Sequence, residues 1–146
     1  MSVAYVLVGE RPSKEGPRPH HRLNPEWPIA KMLVQWLGPE TLDAPFINVY
    51  PIFRSVYPRV DLVTDLIDQE APRAIITLGM VATVPFAPRH NTARDAGTIY
   101  RYEGSWVVPF PHPSGRNRLL NGVEGRRLVD QCLEGLRVAL STKVPG

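Results

Sequence analysis

The sequence predicts an α/β fold: a three-layer α/β/α sandwich around a central, mostly parallel four-stranded sheet, built by residues 1–146 as one domain. Two observations carry this. Short apolar runs, "VAYVLVG" at 3–9, "FINVYPIF" at 46–53, "RAIITLG" at 73–79 and "WVVPF" at 106–110, alternate with longer amphipathic segments, the pattern of strands joined by helices. The runs also lack polar alternation, as expected of parallel strands buried on both faces.

Each element has a local reason. The first run ends at Gly9 and opens into a charged, proline-rich loop over 10–21. A helix follows: Asn24 can cap it, Pro25 suits its first position, and Ile29, Met32, Leu33, Trp36 and Leu37 form a stripe that stops at Gly38. The run at 46–53 is too short for a helix and is cut by Pro51. Over 58–72, Val60, Val63, Leu66 and Ile67 share one face and acids the other, which predicts a second helix.

After the third run, "MVATVPF" starts a short helix. A polar loop over 87–97 leads to "TIYRYEGSWVVPF", read as a short strand, a turn at 103–105 and a strand at 106–110. The final segment has the Asn121 to Glu124 spacing of a capping box, with Leu128, Cys132, Leu136 and Leu140 as its core spine. There are no internal repeats.

Composition narrows the function classes. With 43% hydrophobic and 21% charged residues and no long apolar run, the chain reads as soluble and globular, far from the roughly 20 apolar residues of a membrane span. "MSVAYVLVGE" has neither a basic leader nor an A-x-A-like cleavage site, so it reads as a first strand and the protein as intracellular, in the cytoplasm. The single cysteine, Cys132, rules out an internal disulfide and a cysteine-built metal or iron-sulfur site within this chain. A net charge of +3, with an isoelectric point near 9.3, suits a polyanionic partner without demanding one. The 16 prolines mostly flank the apolar runs and read as stiff loops.

In a parallel α/β sheet, ligands bind beyond the carboxyl ends of the strands. That points to "GERPSKEGPRPHH", "NVYP", "TLGM" and "PHPSGRNR", all at one edge. Glu10, at the exit of the first strand, could hold a water or stabilise a cationic transition state, or be a solvated loop acid. Asn48 interrupts an apolar strand, where an amide must find a hydrogen bond; it either ties strands together or offers a donor and an acceptor to a nucleobase. His112, fixed between Pro111 and Pro113, is a structural histidine or a pre-set donor for a developing anion. His20 and His21, with His90 and His112, have no metal-ligand spacing, and no metal is expected. Arg116, Asn117 and Arg118 could meet phosphates or water, and Leu119 and Leu120 could pack in the core or wedge into a duplex.

Taken together, G-E-x-P from Gly9, N-V-x-P from Asn48, "PRAIITLGMVA" at 72–82 and "VVPFPHPSGRNR" at 107–118 resemble the uracil-DNA glycosylase superfamily. The likeness is closest to the branches with a Gly-Glu first motif. It spans roughly residues 6 to 140, and "HPS" after an apolar strand is its most specific element.

The resemblance implies a monofunctional glycosylase that removes uracil or a related damaged or modified pyrimidine from DNA, single- or double-stranded, as a monomer without cofactor. Glu10 would position the attacking water and stabilise an oxocarbenium-like sugar, and His112 would stabilise the departing base anion. Asn48 would read the flipped base, in a pocket completed by Gly9, Arg11, Pro12, His21, Leu23 and Ser114. Ser13, Lys14, Gly79, Gly115, Arg116, Asn117, Arg118 and Leu119 would contact DNA, the 115–119 stretch from the minor groove. A proline-held loop suits this work because extruding a base costs a few kcal/mol.

The sequence also departs from that pattern. Relatives with the Gly-Glu motif commonly carry four cluster-binding cysteines, whereas this chain has only Cys132. Where relatives place a base-stacking aromatic, "RPHHRLN" offers His20, His21 or Leu23. No tyrosine follows the first motif to exclude a 5-methyl group, so thymine or a 5-modified pyrimidine would fit. Two other readings follow from these departures: a noncatalytic nucleic-acid or nucleotide-binding module, and an enzyme of the same fold acting on modified bases or free nucleotides.

Overall fold

Short, largely apolar runs set the four parallel strands of the sheet. In the computed structural model, which describes residues 4–12, 22–52, 54–114 and 117–145, the elements follow as β1 (Tyr5–Gly9), α1 (Pro28–Leu37), a 3-10 turn (Pro39–Asp43), β2 (Phe46–Asn48), α2 (Val60–Glu70), β3 (Ala74–Leu78), α3 (Met80–Thr83), β4 (Tyr100–Tyr102), β5 (Ser105–Phe110), a second 3-10 turn (Arg118–Leu120) and α4 (Gly122–Ser141).

The sheet has five strands in the order β2-β1-β3-β5-β4, one more than the four expected. β2, β1, β3 and β5 are parallel, and β4 runs antiparallel to β5, pairing Tyr100 with Val107 and Tyr102 with Ser105. The extra strand is a hairpin arm turned through Glu103 at φ 51° and Gly104. It needs no helical crossover, so a count of helix-linked strands leaves it out. Every residue of β1, β2 and β3 is buried, while β4 is not.

Alternation along the central strands sends side chains to two apolar layers. Tyr5, Leu7, Phe46, Ile76, Val108 and Phe110 pack with Ala30 and Leu33 of α1 and with Cys132, Leu136 and Ala139 of α4. Val6, Val8, Ile47, Ile75 and Val107 pack with Val63, Leu66 and Ile67 of α2 and with Ala82 of α3. Helices thus close off both layers, an arrangement compatible with a three-layer sandwich. Truncating a residue such as Leu33, which is fully buried, costs about 2–5 kcal/mol in cores of this kind.

Two helix starts differ from expectation. α1 begins at Pro28, not Pro25, because Asn24 is spent on a local turn: its Oδ1 accepts from the Glu26 N–H at 2.9 Å and its carbonyl from the Trp27 N–H at 3.0 Å. Such side-chain-to-backbone bonds compete with helix nucleation, and Pro28 then supplies the pre-set φ of the first turn. Asn121 does stand at the start of α4, but its side chain makes no capping hydrogen bond. The Gly125 N–H instead reaches the Asn121 carbonyl. Among the described residues, no helix is long and apolar enough to cross a membrane.

The register puts the exits of four parallel strands side by side. Gly9 pairs with Asn48 and Leu78 with Phe110. The residues that follow, from Glu10, Val49, Gly79 and Pro111, therefore emerge along one edge.

Candidate active site

At this edge the chain is pinned by main-chain hydrogen bonds beyond the strands themselves. The Val49 N–H donates to the Gly9 carbonyl at 2.9 Å and the Tyr50 N–H to the Glu10 carbonyl at 2.8 Å. The backbone of Glu10 is thus fixed as firmly as a strand residue, while its side chain stays 40% exposed.

Asn48 is only 5% exposed. Its side chain forms no hydrogen bond among the described residues, an uncommon state for a buried amide. The amide borders a cavity of about 280 Å³ whose wall also includes Arg11, Pro12, Trp27, Phe46 and His112. The start of α1, Pro28 and Ile29, closes one side.

His112 enters from the opposite motif. Pro111 and Pro113, both buried, flank it, and its carbonyl accepts from the Ser114 N–H at 2.8 Å and from Asn117 Nδ2 at 3.0 Å. Gly79, at φ +88°, makes room for it: a Cβ there would lie 3.2 Å from His112 Cβ, and the Gly79 N–H donates to the Phe110 carbonyl at 2.9 Å. Burial lowers the imidazole pKa below its ordinary value, and the Glu10 carboxylate acts in the opposite sense. The ring is therefore neutral at neutral pH, a donor through one nitrogen. The carboxylate of the first motif and the imidazole of the last are thus near enough to influence each other, although Glu10 itself is not part of the cavity wall.

Arg11 stands between Glu10 and the loop after β2. Its guanidinium lies 4.2 Å from the centre of the Tyr50 ring, donates to the Ser55 carbonyl at 3.2 Å and approaches Glu10 Oε2 at 3.8 Å.

Of the residues expected at the site, Glu10, Arg11, Pro12, Asn48 and His112 come together. Ser13, Lys14, His21, Gly115 and Arg116 lie outside the described residues. Leu23 is 4% exposed and packs in the core layer with Ala30 and Leu33. Gly79 lies against His112. The Asn117 side chain is engaged inside its own loop, with Oδ1 accepting from the Leu119 N–H at 3.1 Å. Arg118 and Leu119 are exposed beside it. The two aromatic groups at the cavity, Trp27 and Phe46, were not anticipated. Phe46 had a signal: it lies two residues before Asn48 and so shares its face of the strand. Trp27 had none, since it reaches the cavity only because α1 starts at Pro28.

A larger hollow of about 590 Å³ lies between α1 and α4, bordered by Met32, Trp36, Leu120, Val123 and Arg126. It holds neither Asn48 nor His112, so the smaller cavity is the better site. Cys132 offers no nucleophile: burial pushes its thiol up to about 11 against the opposing effect of the Gly97 backbone. No family model matches the chain, and no curated protein matches it.

Proposed function

We propose that the protein is a DNA glycosylase that hydrolyses the N-glycosidic bond of uracil, or of a related damaged or modified pyrimidine, within the three-layer fold of the uracil-DNA glycosylase superfamily. The observation that carries the reading is the buried amide of Asn48, which has no hydrogen bond among the described residues, on a cavity that also contains His112, whose imidazole is influenced by the Glu10 carboxylate. An extruded pyrimidine presents to Asn48 the complementary donor and acceptor that the described residues do not supply. Trp27 and Phe46 give the base aromatic walls, a role the sequence had left to His20, His21 or Leu23.

The chemistry then divides by charge. As the bond from C1′ to the base nitrogen breaks, its electron pair leaves with the base and the sugar becomes cationic. Glu10 faces the cation and holds the water whose oxygen bonds to C1′, taking up the proton the water loses. His112, neutral before reaction, donates a hydrogen bond to the base oxygen on which negative charge collects. Pre-aimed donors of this kind contribute about 2.7–4 kcal/mol each in comparable sites. Neither step calls for a metal or cofactor. Arg118 and Leu119, exposed beside the His112 loop, meet the DNA, and the enzyme works as an intracellular monomer.

The test is base release. Labelled single- and double-stranded oligonucleotides carrying U, T·G or 5-hydroxymethyluracil are incubated with the protein and abasic sites are cleaved with alkali. Strand breaks that disappear in Glu10→Ala and His112→Ala are expected. Intact strands from every substrate would remove the glycosylase reading.

A further inference from the structure

The large apolar side chains that stay exposed among the described residues are not scattered: each lies in a segment that follows the exit of β2, β3 or β5. Three stand close together after β2, where Ile52 is 59% exposed, Val56 76% and Tyr57 78%. The others lie on or just after α3, beyond β3, and at Leu119 and Val123, beyond β5. A single exposed apolar residue needs no partner, whereas a group gathered at one edge marks a surface that another molecule covers.

The cluster after β2 is held in place. The Ser55 N–H donates to the Ile52 carbonyl at 3.1 Å and the Ile52 N–H to Ser55 Oγ at 3.2 Å. The Arg59 N–H ties the end of the segment to the Val49 carbonyl at 2.7 Å. Arg11, which lines the cavity with Asn48 and His112, donates to the Ser55 carbonyl at 3.2 Å. The cluster is thus one side chain away from the cavity, and a surface ordered in advance binds at little further entropic cost. From Asn48 to Val60 the chain has two cations, Arg54 and Arg59, and no acid. Arg59 is engaged by Asp61, while Arg54 is exposed and forms no ion pair among the described residues.

Apolar faces beside a positive charge match unpaired nucleic acid, in which bare base faces alternate with phosphates. A duplex keeps its base faces stacked inside and turns its phosphates outward, so it offers Val56 and Tyr57 nothing to cover. A second copy of the chain, docked by the same patch, would bring Arg54 toward Arg54.

We propose that Ile52, Val56 and Tyr57 form a stacking platform for an unpaired base flanking the target, with Arg54 meeting an adjoining phosphate, so that the protein takes single-stranded DNA in preference to duplex. The placement beside a target rests on the cavity being a base pocket.

Fluorescence anisotropy with a labelled strand of about 15 nucleotides tests this. The strand is built of A and C and carries at its centre either adenine or pseudouridine, whose carbon-linked base cannot be released. Both are offered as single strands, and the adenine strand also as a duplex. The wild-type protein is expected to bind the adenine strand about tenfold more tightly alone than in the duplex, the scale of a stacked base. Tyr57→Ala should remove most of that preference and leave duplex affinity where it was, while Tyr57→Phe keeps it; a residue this exposed can be replaced without loss of folding. Arg54→Gln should weaken single-strand binding and flatten its salt dependence. The added affinity of the pseudouridine strand reads the base pocket separately: it should persist in Tyr57→Ala and vanish in Asn48→Leu.

Equal affinity for single strand and duplex, or no detectable binding of the single strand, overturns the platform. So does a single-strand preference that survives Tyr57→Ala. A wild-type dimer that sediments as such without DNA and dissociates in Tyr57→Ala also overturns it, because the patch would then be an interface between copies. A missing pseudouridine increment, with the Tyr57-dependent preference intact, instead overturns the base pocket and the placement of the platform beside a target.

Discussion

Gly9 and Asn48 are register partners on β1 and β2, and the backbone of the first leaves the space that the amide of the second occupies. A Cβ at residue 9 would lie 2.5 Å from Asn48 Oδ1 and 3.0 Å from Phe46 Cε1. Gly9→Ala must therefore displace the amide, the ring, or the strand. Overpacking of this kind costs about 1–3 kcal/mol, so the variant is expected to melt several degrees lower and to lose base release at temperatures where it is still folded. Wild-type turnover in Gly9→Ala would show that the amide has no part in the reaction.

Asn48→Leu separates function from stability. Replacing a buried amide that has no hydrogen bond among the described residues with an apolar side chain of similar size removes a desolvation cost of about 1–3 kcal/mol. The variant is expected to be at least as stable as the wild type by chemical denaturation, while base binding and release are abolished. A clear loss of stability would reveal a hydrogen-bonded, structural amide.

His112 and Glu10 can be tested as a pair by following the imidazole carbon proton through a pH titration by NMR. Burial holds the His112 pKa below 6.5, and Glu10 opposes that shift. Glu10→Gln should lower it further, because the upward influence of the carboxylate is gone. An unmoved value would mean that the carboxylate and the ring do not share the cavity.

The same shift makes a stability prediction. A histidine whose folded pKa lies below its unfolded value binds fewer protons in the native state, so its neutrality favours folding at higher pH. Stability is expected to fall as pH drops from about 6.5, the unfolded value, toward the lower folded pKa. His112→Gln should flatten that part of the profile. His90, lowered mainly by burial with opposing influences from Asp95 and Arg94, contributes in the same direction, so the difference between wild type and variant is the quantity to measure.

Asn117 braces the loop that carries His112, donating to the His112 carbonyl at 3.0 Å and accepting from the Leu119 N–H at 3.1 Å. Asn117→Ala removes both contacts, a loss of about 1 kcal/mol each by typical values. We expect faster amide exchange across 112–120 and weaker base release, with little change in the affinity for DNA phosphates. A large, uniform fall in DNA affinity would instead identify Asn117 as a direct DNA contact.

Much of the fold was written locally. Short apolar runs defined four strands, and the spine of Leu128, Cys132, Leu136 and Leu140 defined the buried face of α4, of which Cys132 and Leu136 enter the core layer and Leu140 packs against it. Glu10, Asn48 and His112 stood out because each is a polar residue at the carboxyl end of such a run. A strand end is where side chains must leave the apolar layers, so the sequence itself marks the edge at which a site can lie.

Other features had no local signal. The start of α1 at Pro28 and the arrival of Trp27 at the cavity depend on which of several short-range options the packed sheet and helices favour, whereas the β4 arm was legible as the short strand before the turn at 103–105. Leu23 was drawn into the core layer because α1 and its entry segment bury it beside Ala30 and Leu33. The seat of Arg11 requires Tyr50 and Ser55 to return from the exit of β2, some 40 residues away in the chain. Sequence periodicity therefore settled the layers and the candidate edge, since burial acts on each segment separately. Which side chains meet across that edge was decided by the register of β1 with β2 and β3 with β5, a long-range pairing that no segment encodes alone.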